Sequence, residues 1–228
     1  MRARIARMPG TAMTISSSSN HSPLAPTLAA LLLVCAAGGA ALYLGTMGFA
    51  VVSTEDARRL AVLRQPLATA NVAIHAPQAE RLAAMLRDDG RVTIVSFVYS
   101  SCNTVCSVLG SEYQQLQEQI RRRGLAHQIR LLSISFDPRD TPDLLTAYAR
   151  RQQADPAVWR MAGIDQDAER QALLDAFGVV VLKSPDGEFE HNAAFHLIDR
   201  QGQLVRIMDF DDPAAALNQA ILLAGGKP

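Results

Sequence analysis

The chain has 228 residues, 49% of them hydrophobic and 19% charged, with 22 basic against 22 acidic side chains. That hydrophobic share excludes a largely disordered chain, and a net charge of zero excludes a nucleic-acid partner held through a basic footprint. Three cysteines in a chain of this length exclude a disulfide-stapled miniature domain, leaving a metal site, a redox pair or inert core sulfur.

Charge is unevenly placed along the chain. Arg2, Arg4 and Arg7 open it, and no further Lys, Arg, Asp or Glu occurs before Glu55, so the remainder holds 19 basic against 22 acidic residues. Within that gap, residues 28–52 (LAALLLVCAAGGAALYLGTMGFAVV) are almost wholly apolar or small. This length exceeds the roughly 20 residues a helix needs to cross a bilayer. The predicted organisation is a short cytoplasmic or targeting segment at 1–27, a transmembrane anchor at 28–52, a tether at 53–75 and a folded domain at 76–228. Arginines before the span and acidic residues after it predict an inside N-terminus. A cleaved signal peptide has a shorter apolar run than this one. A mitochondrial transit peptide shares the Arg- and Ser-rich, acid-free start. Two locations follow: a bacterial inner membrane with the domain in the periplasm, or a mitochondrial inner membrane facing the intermembrane space. Cys35, in mid-span, reads as a small hydrophobe.

After the polar, Pro66-containing tether, Pro77 opens a predicted helix with Leu82, Met85 and Leu86 on one face and Gly90 as its stop. Residues 91–99 (RVTIVSFVY) are rich in β-branched and aromatic types and read as a buried strand. Cys106, Leu109, Tyr113, Leu116 and Ile120 then recur at helical spacing, and Arg121, Arg122 and Arg123 suit the negative end of that helix. Residues 129–136 (IRLLSISF) form a second buried strand. Thr141 and Pro142 cap and start a helix to about Gln153, and a short strand follows at 158–162. Asp165 caps a helix whose Leu173, Leu174 and Phe177 face inward, ended by Gly178. Strands at 179–182 and 194–199 flank a loop with Pro185, Asp186 and Gly187. A tight turn leads into a strand at 204–208, and Asp212 with Pro213 starts a closing helix. Strands alternating with helices, then a hairpin and a last helix, predict a layered α/β domain.

Cys102 and Cys106 stand where the first long strand passes into its helix. Residues four apart on a helix share a face, and the helix N-terminus favours thiolate, the form that both binds metal and attacks disulfides. The competing reading is two core cysteines. C-x-x-x-C alone is a weak motif.

The stretch FVYSSCNTVC (97–106), with SFDPRDTP (135–142), LLTAYARRQQADP, LLDAFGV and HNAAFHLIDRQG (191–202), resembles the Sco/SenC family of copper-handling proteins. The resemblance spans most of residues 91–210. It implies a thioredoxin-like fold (a mixed sheet flanked by helices) and one copper ion, Cu(I) or Cu(II), bound by Cys102, Cys106 and His191. It also implies a role in building the binuclear copper centre of cytochrome c oxidase, with the copper-bearing subunit or another copper protein as partner. His191 holds the family's histidine position ahead of a strand, and His196 falls inside that strand as a core or sheet-face residue. Asp137 matches an acidic position near the site and either supports His191 or shapes its loop, whereas Asp140 and Thr141 read as caps. Asn103 and Ser107 stand where the family commonly has proline, Ser100 where it has threonine, and its Gly-containing hairpin ahead of residue 91 is not visible. The alternative function is a thiol-disulfide reductase, with Cys102 and Cys106 as the redox pair, keeping a client's copper-ligating cysteines reduced. A peroxiredoxin-type peroxidase finds no matching context around Cys102.

Overall fold

The computed structural model describes residues 24–49, 51, 53–76, 78–101, 105–185 and 187–227, and at 76, 78, 79 and 105–108 the backbone alone. Arg2, Arg4, Arg7, Pro77 and Asp186 lie outside the described residues. The chain divides into two compact units, Met1–Val52 and Ser53–Pro228.

In the first unit, helix α1 (Leu24–Gly45) is long and apolar enough to cross a membrane. Its 22 residues span about 33 Å at the α-helical rise. The apolar run read from the sequence to residue 52 is broken earlier. The Thr46 hydroxyl donates to the Leu42 carbonyl at 2.7 Å and accepts the Phe49 N–H at 3.0 Å. Met47, Gly48 and Phe49 take left-handed φ angles of 50°, 74° and 64°, which end a right-handed helix.

In the second unit, the stretch expected to be a tether is folded. Ser53 and Asp56 form a capping box at the start of α2 (Thr54–Arg64). Strand β1 (Leu67–Ala68) follows, and β2 (Ala73–Ala76) and β3 (Gln78–Arg81) make an antiparallel hairpin where a helix was expected to open. This hairpin, without glycine, fills the place of the one the resemblance called for. Helix α3 is correspondingly short (Leu82–Asp88), with Leu82, Met85 and Leu86 buried as their spacing predicted. Distant partners order this region. Val62, Val72 and Ile74 join the core, and the Ala73 N–H donates to Glu169 Oε2 at 3.0 Å.

The central elements follow in chain order: β4 (Val92–Val98), α4 (Val105–Arg122), β5 (Ile129–Ser135), α5 (Pro142–Arg151), β6 (Trp159–Ala162) and α6 (Asp167–Phe177). Then come β7 (Val181–Lys183), β8 (Phe189–His191), β9 (Phe195–Ile198), β10 (Gln203–Met208) and α7 (Pro213–Leu223). The main sheet runs β1-β10-β9-β4-β5-β6. Strands β4, β5 and β6 are parallel, and β9 returns antiparallel beside β4. Every residue of β4 and β5 is buried, as continuous apolar strands covered on both faces must be.

Tyr113 of α4 packs on one face, its ring 5.2 Å from Trp159 and 5.7 Å from Phe195, its hydroxyl donating to the Ile94 carbonyl at 3.0 Å. Burial holds that phenol proton far more tightly than usual. On the opposite face Phe177 of α6 lies 5.3 Å from both Phe97 and His196. The result is a thioredoxin-like α/β/α layering. Gln166, without a side-chain bond, rather than Asp165, precedes α6. Asp165 instead pairs with His75, Oδ1 to Nε2 at 3.2 Å.

Gly163 joins β2 to the sheet, exchanging two backbone hydrogen bonds with His75 at 3.1 Å each. A Cβ here would stand 2.3 Å from His75 Cε1 and 3.0 Å from Leu145 Cδ1. Gly163→Ala is therefore expected to cost about 1–3 kcal/mol, as overpacking does, lowering the thermal midpoint by several degrees. An unchanged midpoint would mean that the His75 ring yields freely.

Candidate metal site

The candidate site lies at the C-terminal ends of β4 and β5, where open α/β sheets commonly place ligands. Beyond β4, Tyr99 and Ser100 are buried and Ser101 is exposed. Cys102 lies outside the described residues. Cys106 falls in the first turn of α4, and only its backbone is described. Helix α4 is fixed by its buried stripe of Leu109, Tyr113, Leu116 and Ile120. It is also fixed by Gln114 and Gln117, whose amides donate to the carbonyls of Gln152 and Gln153 at 3.0 Å each.

Ser100, two residues before Cys102, is held at every polar group. Its N–H donates to Asp140 Oδ2 at 2.8 Å, its hydroxyl donates to Asp140 Oδ1, and its carbonyl accepts from Arg151 Nη2 at 2.8 Å. The buried Asp140 carboxylate also accepts from the Ser135 hydroxyl at 2.5 Å. Sequence reading gave Asp140 a capping role; Thr141 caps α5, and Asp140 lies between the two strand ends. This also accounts for serine at the family's threonine position, since the hydroxyl is the feature used. A buried carboxylate needs such donors.

Asp137 is buried, and its carboxylate accepts from the Arg139 N–H at 2.9 Å and from Arg139 Nη2 at 2.7 Å. That bond raises the Arg139 pKa above its ordinary value. The exposed Arg139 guanidinium in turn lies 5.4 Å from the centre of the Phe189 ring.

His191 stands ahead of β9, the strand that holds His196, as expected, and it also ends a short strand of its own, β8, opposite Val181 of β7. Both of its ring nitrogens are buried, and its ring centre is 4.9 Å from that of Phe136. Phe189, on the same strand, packs 5.6 Å from Phe136 and 5.3 Å from Tyr99. The Tyr99 hydroxyl donates to Glu188 Oε2 at 2.9 Å. Aromatic packing thus brings the His191 strand to the residues that lead out of β4 and β5, beside Asp137. Sequence reasoning missed β8, the aromatic cluster and Asp140, none of which carries a local pattern.

His196 is a core residue of β9. Burial first, and the nearby positive charge of Arg58 second, lower its pKa to about 3, so it stays a neutral imidazole. Among the described residues no three His, Cys, Asp or Glu side chains gather as a metal site.

Comparison with known proteins agrees with this architecture. A curated relative, the SCO1 protein homolog of Bacillus subtilis, is 26% identical over 121 residues, which cover 51% of this chain and 61% of that relative. The Arabidopsis thaliana ScoI structure with copper bound superposes with a TM-score of 0.57 at 18% identity, covering 68% of this chain and 98% of that one. BsSco, for which a disulfide switch was identified and which is a member of the Sco family of cytochrome c oxidase assembly proteins, superposes with a TM-score of 0.56 at 20% identity, covering 68% and 94%. The family model described as SCO1/SenC matches residues 78–223, a stretch that includes Cys102, Cys106, Asp140 and His191, and the chain accordingly belongs to the SCO1/SenC family.

Proposed function

We propose that this chain is a membrane-anchored copper chaperone that binds one copper ion through Cys102, Cys106 and His191 and assists assembly of the binuclear copper centre of cytochrome c oxidase. The family match over residues 78–223, which takes in all three donors, carries this reading. The chemistry of the donor set supports it. Two thiolates suit Cu(I) and an imidazole also suits Cu(II), so the set accommodates either state. Three protein donors leave a position for a donor or acceptor protein's own ligand, which handing metal onward requires.

In this reading α1 crosses the membrane. Arg2, Arg4 and Arg7 stay on the inner side, and the body faces the periplasm, or the intermembrane space if the membrane is mitochondrial. The partner is the copper-bearing subunit of the oxidase or another copper protein. Asp137 supports the His191 side of the site. A second reading, a thiol-disulfide reductase using Cys102 and Cys106, draws on the disulfide switch identified in BsSco. Four-residue spacing on a helix permits that bond only with local distortion.

Copper titration of the reduced full-length chain in detergent tests the proposal. The expected result is one copper per chain, lost in Cys102→Ser and in Cys106→Ser, with a slow and strongly reducing disulfide. Weak copper binding combined with fast thiol exchange would favour the reductase instead.

A further inference from the structure

We infer that Asp140 is a positioning residue for copper capture, joining the thiolate side of the site to its histidine side; this rests on the function proposed above. The Asp140 carboxylate fixes the ends of β4 and β5, the first leading to Cys102 and the second to Phe136, against which His191 packs. On one side it takes the N–H and hydroxyl of Ser100, two residues ahead of Cys102. On the other it takes the hydroxyl of Ser135. The same Ser135 oxygen accepts the Asp137 N–H at 3.1 Å, fixing the residue after Phe136, the ring that backs His191.

The parallel register explains why one carboxylate can do this. Val98 stands opposite Ser135, so Ser100 lies just past the end of β4 while Ser135 still belongs to β5, and a side chain in the following turn reaches both. Asp140 is set in that turn by its own N–H, which donates to the Asp137 carbonyl at 3.1 Å. Arg151, at the end of α5, holds the Ser100 carbonyl from the other direction. The chain therefore leaves β4 toward Cys102 from a point fixed on three sides. Pre-set donors bind a metal more tightly than donors that must first be ordered, and outer partners of metal ligands typically contribute 10–100-fold in affinity.

The role assigned is geometric, and it separates two substitutions. Asparagine matches aspartate in shape. Its carbonyl oxygen can take the Ser100 N–H and the Ser135 hydroxyl, while its amide donates to a rotated Ser100 hydroxyl. Alanine offers nothing to either strand end.

The test is copper titration of the full-length chain in detergent, with the sulfur-to-Cu(II) charge-transfer band and the thermal midpoint recorded for each variant. Asp140→Ala is expected to lower copper affinity about 10-fold or more and to shift the band. Asp140→Asn and Ser100→Thr are expected to stay within about threefold of the wild type, because each keeps the hydrogen-bonding groups in place. If Asp140→Ala does not fold, Ser100→Ala and Arg151→Ala, which each release one side of Ser100, carry the same expectation. A folded Asp140→Ala, or in its place a folded Ser100→Ala and Arg151→Ala, with wild-type affinity and band would overturn the assignment. So would an Asp140→Asn as impaired as the alanine. A wild-type chain that bound no copper would instead overturn the functional reading, so the two failures are distinct.

Discussion

The full-length chain carrying His191→Ala is expected to bind Cu(II) at least about 100-fold more weakly than the wild type, beyond the range typical for loss of an outer partner. Its affinity for Cu(I) should fall less. Thiolates are soft donors that hold Cu(I) well by themselves, whereas imidazole contributes most to Cu(II). The effect belongs to the ligand and not to the fold. His191 is half-buried at the end of a three-residue strand, and the strand is docked through Phe189, Phe136 and Tyr99. Thermal unfolding should therefore move little. Parallel Cu(I) and Cu(II) titrations check the prediction, and equal affinity in variant and wild type would remove His191 from the donor set. Thiol exchange at Cys102 and Cys106 should be unaffected, since two sulfurs need no imidazole to form or open a disulfide. A variant that loses copper yet exchanges thiols normally separates the two functional readings in one protein.

Legibility of the sequence follows the range of the interactions involved. Strands β4 and β5 are buried on both faces and read as largely apolar runs rich in Val, Ile and Leu. The α4 stripe repeats at helical spacing, and Thr141-Pro142 and Asp212-Pro213 cap the helices they precede. All of these signals are local. Apart from the Ser53–Asp56 capping box of α2, residues 53–81 carry no such signal, because their order comes from partners roughly a hundred residues away. Ala73 bonds to Glu169, His75 to Gly163 and Asp165, and Arg58 Nη2 to the Ala176 carbonyl at 3.1 Å.

The site divides in the same way. The cysteine pair is visible as a motif, and His191 is visible only through the resemblance, because a lone histidine at the end of a three-residue strand has no periodicity to mark it. Asp140 was read as a cap since it precedes Thr-Pro, as caps do. Its partners Ser100 and Ser135 are 40 and five residues away, and they meet only once β4 and β5 have paired. The residues proposed to bear the chemistry are thus more legible than those proposed to position them.

Acid should destabilise this protein, with a component that one buried residue accounts for. In the unfolded chain His196 takes up a proton near pH 6.5; in the fold, enclosed by Phe97 and Phe177, it does so only near pH 3. Between those values the unfolded state binds more protons, so stability rises with pH there and falls as pH is lowered. The contribution is fully present above about pH 6.5 and is lost progressively toward pH 3. Each unit of separation is worth about 1.4 kcal/mol, so lowering the pH from 6.5 to 4 should remove roughly 3 kcal/mol through His196 alone. His196→Leu keeps an apolar side chain in that space and cannot take a proton. Its stability at neutral pH will differ from the wild type by a packing term, but its loss on acidification should be smaller by about that amount, since carboxylates common to both proteins cancel. Urea unfolding of the full-length chain at a series of pH values measures this directly. The buried Trp159 is the chain's single tryptophan and reports the body alone. Parallel stability curves for variant and wild type between pH 6.5 and 4 would show that His196 takes its proton equally well in both states.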